Sequence, residues 1–436
     1  MKNWIVAKAT DLMGWVDERF PVTAQYKAHM SEYYAPKNFN FWYFFGVLSM
    51  IVLVNQLLTG IWLTMFYTPT AEGAFASIEY IMRDVEYGWL IRYMHAVGAS
   101  AFFLVVYLHM FRGLLYGSYK APRELVWIFG MLIYLALMAE GFMGYVLPWG
   151  NMSYWGAQVI ISLFGALPYI GEDLTVWIRG DYLLSGASLT RFFALHVVAI
   201  PIVLLALVVV HILALHEVGS NNPDGVEIKK KKNAQGIPLD GIPFHPYYTV
   251  KDSVGVVVFL IIFALFIFYL PTGGGYLIEG PNFEPADALK TPEHIAPVWY
   301  YGAYYAMLRA IPHKLTGVIV MFAAIAILFL LPWLDRNPIK SIRYKGLATK
   351  VATMLFAFFF VVLTWLGTQP AGVPIFNLWT DSEGHQVAFT YTTLAQIGTA
   401  YYFLFFGSLL FLHKIDEKLI ARGWDKAKTV PDRVTG

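Results

Sequence analysis

The chain contains no cysteine. That excludes disulfides, thiolate metal centres, haem attached through a Cys-x-x-Cys-His segment, and an iron–sulfur cluster of the usual thiolate kind. Charge is scarce too. Asp, Glu, Lys and Arg make up 14% of the 436 residues, against about 25% in an ordinary soluble domain. So few charges cannot clothe two or three soluble domains, and lipid must be the solvent for much of the chain. Net charge is only +2, which gives no reason to expect nucleic acid as a partner. The first 38 residues lack the short apolar run and cleavage site of a signal peptide.

What is present is apolar: hydrophobic residues are 58% of the chain. Eight stretches approach the roughly 20 residues that a bilayer-crossing helix needs. They lie at about 43–66, 89–111, 125–147, 193–215, 253–271, 315–334, 350–368 and 395–413. The expected fold class is therefore an all-α membrane protein with eight transmembrane helices. Eight spans leave both termini on one side. The terminal segments and the loops at 112–123, 218–251 and 335–350 hold 24 of the 31 Lys and Arg residues, and the opposite loops hold 7. Positive charge stays inside, so both termini are expected in the cytoplasm of a bacterial inner membrane. Residues 1–38 read as an interfacial amphipathic helix, with Trp4, Met13 and Trp15 against Lys and Asp. The run Lys229–Lys232 is a topology signal, with a lipid-headgroup site as the alternative. The segments 148–190 and 272–314 are long, rich in Gly, Pro and aromatics, and predict short helices on the outer surface.

Four of the eleven histidines fall inside predicted spans two and four. His95 and His109 are 14 apart, about 21 Å along a helix axis and within about 40° of one face. His196 and His211 are 15 apart, about 22 Å and within about 60°. Both spans run from outside to inside, so His95 matches His196 near the outer surface and His109 matches His211 near the inner one. A lone membrane histidine is more often a satisfied hydrogen bond between helices than a ligand. Two pairs in matched register predict two stacked b-type haems, noncovalent and bis-histidine, in a bundle made by the first four spans. Two axial imidazoles leave no open position on the iron, which suits electron transfer.

Arg92, three before His95, and Arg112, three after His109, are placed to meet haem propionates, the alternative being arginines that snorkel at helix ends. Gly46 and Gly60 on span one, and Gly130 and Gly144 on span three, repeat the 14-residue interval. They predict notches where a flat macrocycle approaches the backbone, against the alternative of small-residue helix packing. Pro201, between His196 and His211, is expected to bend span four and absorb its extra residue.

At this point the sequence closely resembles the cytochrome b family of quinol:cytochrome c oxidoreductases, beyond residue 38 and over nearly the whole chain. The segments that carry the resemblance are Gly88-Trp-Leu-Ile-Arg-Tyr-Met-His95, Gly144-Tyr-Val-Leu-Pro-Trp-Gly150, His216-Glu-Val-Gly-Ser-Asn-Asn-Pro223, Ile242-Pro-Phe-His-Pro-Tyr-Tyr248 and Leu308-Arg-Ala-Ile-Pro-His-Lys314. Photosynthetic relatives divide this region between two shorter chains, so a fused chain resembles the respiratory type. The resemblance implies a low-potential haem on His95 and His196 and a high-potential haem on His109 and His211. It implies quinol oxidation outside, quinone reduction inside and proton translocation, with ubiquinone and ubiquinol as substrate. Implied partners are a Rieske iron–sulfur protein, a c-type cytochrome subunit, a second copy of the complex, membrane lipid, and a terminal oxidase in a supercomplex.

For the inner quinone site the candidates are His216, Ser220, Lys251 and Asp252; a histidine and a carboxylate there could hydrogen-bond both quinone carbonyls and deliver protons. For the outer quinol site they are Tyr145, Pro297, Tyr300 and Tyr305. The family usually carries Pro-Glu-Trp-Tyr here, but this chain has Pro297-Val-Trp-Tyr300. Valine accepts no proton. Glu293, four before Pro297, is expected to replace the missing carboxylate, and Glu140, buried one turn before Gly144, is the alternative. The expected division is 1–38 as a surface segment, 39–218 as the haem bundle, 219–252 as the cytoplasmic loop of the inner site, 253–413 as a C-terminal four-helix region, and 414–436 as a cytoplasmic tail. The rival readings are the two-haem anchor of a membrane dehydrogenase, which leaves 242–314 unexplained, and a transporter with structural histidines.

Overall fold

The structure is a computed structural model that describes residues 2–380 and 386–430. Met1 and the end of the tail expected at 414–436 lie outside the described residues. Among the described residues six helices are long and apolar enough to cross a membrane: Phe41–Thr64, Gly88–Tyr116, Glu124–Val146, Gly186–Val218, Phe244–Tyr269 and Leu347–Thr368. The first four match predicted spans one to four. Span one packs on span two and span three on span four. Phe45, Leu48, Phe103, Met131 and Leu137 are buried among these helices, while Leu58, Ile61, Ile202, Val209 and Val257 are exposed on their outer faces.

Two predicted spans differ. The stretch expected at 315–334 forms a 16-residue helix, Lys314–Phe329, about 24 Å long and short of the roughly 30 Å hydrocarbon core. It stops because Pro332 has no N–H to return to the preceding turn; a separate turn, Leu331–Leu334, carries it. The stretch expected at 395–413 is a broken pair, Tyr391–Ser408 and Leu412–Ala421, bent by 76°. The second helix carries Asp416, Glu417, Lys414 and Lys418, which lipid would penalise. Asp416 instead caps the start of Leu347–Thr368, accepting from the Gly346 and Thr349 amides at 3.2 Å each.

The long segments hold short helices as expected, at Asn151–Phe164 and Gly171–Arg179 in one and Gly302–Ala310 in the other. A helix at Ala74–Arg83 and a hairpin of Pro374–Thr380 with Gln386–Thr390 were not anticipated. Nor was a short antiparallel pairing of Tyr34–Pro36 with Gly241–Pro243, which ties the N-terminal segment to the loop before span five.

Candidate functional site

Span two and span four bring the four histidines together as two transverse pairs. The ring centres of His95 and His196 are 6.1 Å apart, with planes at 85°. Those of His109 and His211 are 6.4 Å apart, at 70°. Two metal–imidazole bonds of about 2 Å in line, with roughly 1 Å from each nitrogen to its ring centre, require roughly 6 Å. Both pairs fit one iron between them.

The outer pair is also held in the right tautomer. The Thr59 hydroxyl donates to the Asn55 carbonyl at 2.6 Å and so accepts from His95 Nδ1 at 2.9 Å. His196 Nδ1 lies 3.0 Å from the Glu140 carbonyl, which can only accept. Each ring then carries its proton on Nδ1 and leaves Nε2 free for a metal. Glu140 also places Oε1 at 3.0 Å from His196 Nδ1, while its buried Oε2 has no hydrogen-bond partner.

The interval of 15 on span four is absorbed differently from expectation. Leu195–Ala199, which contains His196, is a π-helical turn. Such a turn accommodates one extra residue without breaking the helix. Pro201 follows this turn directly, inside the same continuous helix Gly186–Val218.

The four glycines each face one histidine. A Cβ would lie 3.5 Å from His109 Cε1 at Gly46, 3.2 Å from His95 at Gly60, 3.3 Å from His211 at Gly130, and 2.3 Å from His196 at Gly144. The notches therefore admit the imidazole ring itself. Arg92 is half-buried beside His95, with no hydrogen bond or ion pair to a described residue, and lines the same cavity. Arg112 donates to the Asn221 carbonyl at 3.2 Å and has a buried, unpartnered Nε. Both are available to anionic groups near their histidines.

That cavity, about 490 Å³, runs from His95 and His196 to Tyr145, Glu279, Asn282 and Tyr300. Asn282 organises its far end. Its Oδ1 accepts from the Ser153 amide at 2.8 Å, which fixes the side-chain orientation. Its Nδ2 then donates to Tyr145 Oη at 3.1 Å and to Glu279 Oε2 at 3.0 Å. Burial pushes the Glu279 carboxyl up to about 7, against hydrogen bonds from Tyr145 and Asn282 that oppose it. Tyr300 stacks on Phe103 at 3.9 Å. Pro297 and Tyr305 line an adjoining small cleft, with Tyr145 and Val298 shared between the two spaces. Glu293 is exposed and lines neither space.

His216 is not alone. Its Nδ1 lies 2.8 Å from His29 Nδ1, and Tyr33 stacks on its ring at 4.4 Å. The Tyr33 hydroxyl reaches Ser220 Oγ at 3.1 Å. Asp252 faces Tyr43, and Asp252 Oδ1 and the Tyr43 hydroxyl are buried without hydrogen-bond partners. Lys251 Nζ lies over the rings of Tyr247 and Tyr248 at 5.5 and 5.6 Å.

Two family models match the chain, "Cytochrome b/b6/petB" over residues 30–219 and "Cytochrome b(C-terminal)/b6/petD" over residues 285–403. The chain belongs to the cytochrome b family. It is similar to the cytochrome b of Allochromatium vinosum, with 57% identity covering 98% of this chain and 99% of that one. It is 48% identical to the cytochrome b of Rickettsia bellii, covering 92% of each. A protein of Bradyrhizobium diazoefficiens named cytochrome b/c1 matches at 49% identity over 82% of this chain and 50% of its own length. Among solved structures, a chain of "Hyperthermophilic respiratory Complex III" superposes with a TM-score of 0.82 at 38% identity, covering 93% of this chain and 99% of that one.

Within this family frame, Glu279, Asn282, His29 and Tyr33 are site residues that sequence reasoning missed. The sequence signal for Glu279 is an acid ahead of Gly280-Pro281 in the long loop 272–314. Nearness to Pro297 along the chain favoured Glu293 instead. His29 had none, because its partner lies 187 residues away.

Proposed function

We propose that this chain is the two-haem electron-transfer subunit of a quinol:cytochrome c oxidoreductase in a bacterial inner membrane, with both termini in the cytoplasm. The observation that carries the reading is the pair of histidine–histidine spacings, 6.1 and 6.4 Å. When bound there, two b-type haems supply one-electron carriers at two depths of the bilayer, linking an outer quinol site to an inner quinone site. His95 and His196 hold the outer group, His109 and His211 the inner one, and Arg92 and Arg112 meet their propionates.

At the outer site the reading assigns binding of quinol to the space shared by Tyr145, Tyr300 and Val298, with Pro297 and Tyr305 shaping its neighbouring wall. A quinol hydroxyl must lose a proton as it is oxidised. Glu279 is the best-supported acceptor, because Asn282 aims it at Tyr145 inside the cavity; Glu293 faces away from it. Glu140 is committed to orienting His196. At the inner site His216 and Asp252 are placed to hydrogen-bond the two quinone oxygens, supported by Ser220 and Lys251. Partners of this kind of reaction are an iron–sulfur protein that takes one electron and a c-type cytochrome; a relative named cytochrome b/c1 favours the latter.

Membranes containing the chain should give a reduced-minus-oxidised spectrum with two b-type components and quinol:cytochrome c activity. His95→Leu should remove one component and His109→Leu the other. A spectrum without b-type bands would reject the carrier reading in favour of a transporter with structural histidines.

A further inference from the structure

The N-terminal segment was expected to lie on the membrane surface, yet its second half is locked onto the inner site. The strand Tyr34–Pro36 pairs with Gly241–Pro243, and the Phe244 amide donates to the Tyr33 carbonyl at 2.8 Å. Ahead of the strand, the π-helical turn Lys27–Ser31 carries His29 to His216. Two Nδ1 atoms at 2.8 Å hold one proton between them. With none the lone pairs repel, and with two the hydrogens collide. If His29 donates, His216 must present Nε2–H on its far side, which is a donor for a quinone oxygen. Lys229 fixes the backbone there, donating to the His216 and Glu217 carbonyls at 2.8 and 2.7 Å. His29 is half-buried and its neighbours Lys27 and Ala28 are exposed, so the pair runs from the site to water.

We propose that His29 is a positioning and proton-supplying residue of the inner quinone site. It sets the His216 tautomer and passes protons through His216 to the bound quinone. This rests on the reading of His216 as the quinone's hydrogen-bond donor. The step balances as follows. As a quinone oxygen gains electron density, with electrons delivered singly from the inner haem side, it takes the proton from His216 Nε2. His216 Nδ1 takes one from His29 Nδ1. An imidazolium at His29 becomes neutral, His216 stays neutral, and the quinone oxygen gains the O–H bond. When the quinol has left, His216 returns to its Nε2–H tautomer by exchange with water, and water at the cytoplasmic edge then recharges His29 Nδ1. The other titratable or charged groups on these and the packed elements are Tyr26, Lys27, Glu32, Tyr33, Glu217, Lys229, His245, Tyr247 and Tyr248.

The test uses the intact complex in membranes with the outer site inhibited, so that decyl-ubiquinol reduces the inner haem only through the inner site. The rate is followed over roughly pH 6–9, a range that brackets histidine titration. His29→Phe should lose about 100-fold in rate, the low end of what a positioned proton carrier supplies. His29→Gln can still donate a hydrogen bond but not a proton. It should keep the parent quinol affinity yet lose the rate and flatten the pH profile. Added imidazole should restore part of the rate in His29→Ala, and the imidazolium band in redox-induced infrared difference spectra should vanish in His29→Gln. Parent-like rate and pH profile in His29→Phe, or a parent-like rate in His29→Gln, would overturn the proposal. His216→Phe separates the two readings. If it abolishes the reaction while His29→Phe does not, only the role of His29 fails. If His216→Phe retains the reaction, the inner-site reading itself fails.

Discussion

At the scale of single residues, the glycines make a graded prediction. An added Cβ at Gly144 would sit 2.3 Å from His196 Cε1, a separation no side chain tolerates, whereas at Gly46 it would make ordinary contact with His109 at 3.5 Å. Gly144→Ala should therefore remove most of the outer b-type component from the optical spectrum while sparing the inner one. Gly46→Ala should retain both, and Gly60→Ala and Gly130→Ala should fall between. Equal losses at all four positions would mean that the notches do not serve individual histidines. Glu279 gives a pH prediction with a definite sign. Its carboxyl is pushed up from 4.5 to about 7 by burial, and a proton acceptor must be ionised to work. Outer-site quinol oxidation should fall as pH drops through about 7. Glu279→Gln should abolish that limb and lower the rate by about 100-fold, within the usual range for a positioned base, and Glu293→Gln should leave both unchanged. The folded chain binds this proton more tightly than the unfolded one, so the group's contribution to stability declines between about pH 4.5 and 7 and is constant above. The histidines were legible because ligand, face and depth all follow from spacing along one helix. Glu279 was not, because its role depends on a loop closing onto Ser153 through Asn282 and onto Asn151 through Glu284.

Elements were legible to the extent that lipid dictates them. Runs such as Glu124–Val146 have a length and composition that only a spanning helix explains, and they lie where the hydrophobic pattern puts them. Their internal geometry was not legible. The sequence offers Pro201 as a visible reason for a bend in span four, while nothing in Leu195–Ala199 announces a π-helical turn; only the need to face His95 across 6.1 Å does. Removing Ala199 should convert this turn to regular α-helix. The helix on either side would keep its phase, because the π turn takes up one residue without changing it, so both haem components should survive. Pro201→Ala returns an N–H to a helix that runs unbroken from Gly186 to Val218, and with the π turn in place it too should keep both components. An optical spectrum of each variant checks this: loss of the component that depends on His196 in the deletion variant would mean that the π turn does not absorb the extra residue. The same limit applies to the helix Lys314–Phe329 and the 76° break after Ser408, where proline and charge end helices that hydropathy alone would extend.

At the scale of the whole molecule, the two family blocks are joined at one end of the spans by buried ion pairs. Asp335 is buried and holds Lys345 at 2.8 Å, Lys120 at 3.1 Å and the Tyr119 hydroxyl at 2.5 Å. Arg123 binds Glu227 through two bonds of 2.6 and 2.9 Å, and Lys340 joins the same carboxylate. Arg343 and Tyr344 reach Asp224 at 2.7 and 2.8 Å. These contacts tie the loops after spans two and four to the segment 335–345, and the stretch Lys232–Gly236 is exposed, so the covalent link there is dispensable. A chain divided between Lys232 and Asn233, expressed as two pieces, should co-purify with both haem components present. Removing one partner of a buried pair costs about 3–5 kcal/mol. A continuous chain holds its halves at an effective concentration of the order of millimolar or above, and the apolar contacts between spans remain, so Asp335→Leu should be tolerated there with a modest loss of thermal stability. In the divided chain the same substitution faces only the true concentration of the second piece, and recovery of the paired halves should fall by at least about tenfold. Equal recovery with and without Asp335→Leu would place the association of the halves in the apolar spans alone, in Trp127 against the Leu328 carbonyl and its neighbours, and not in the ion pairs.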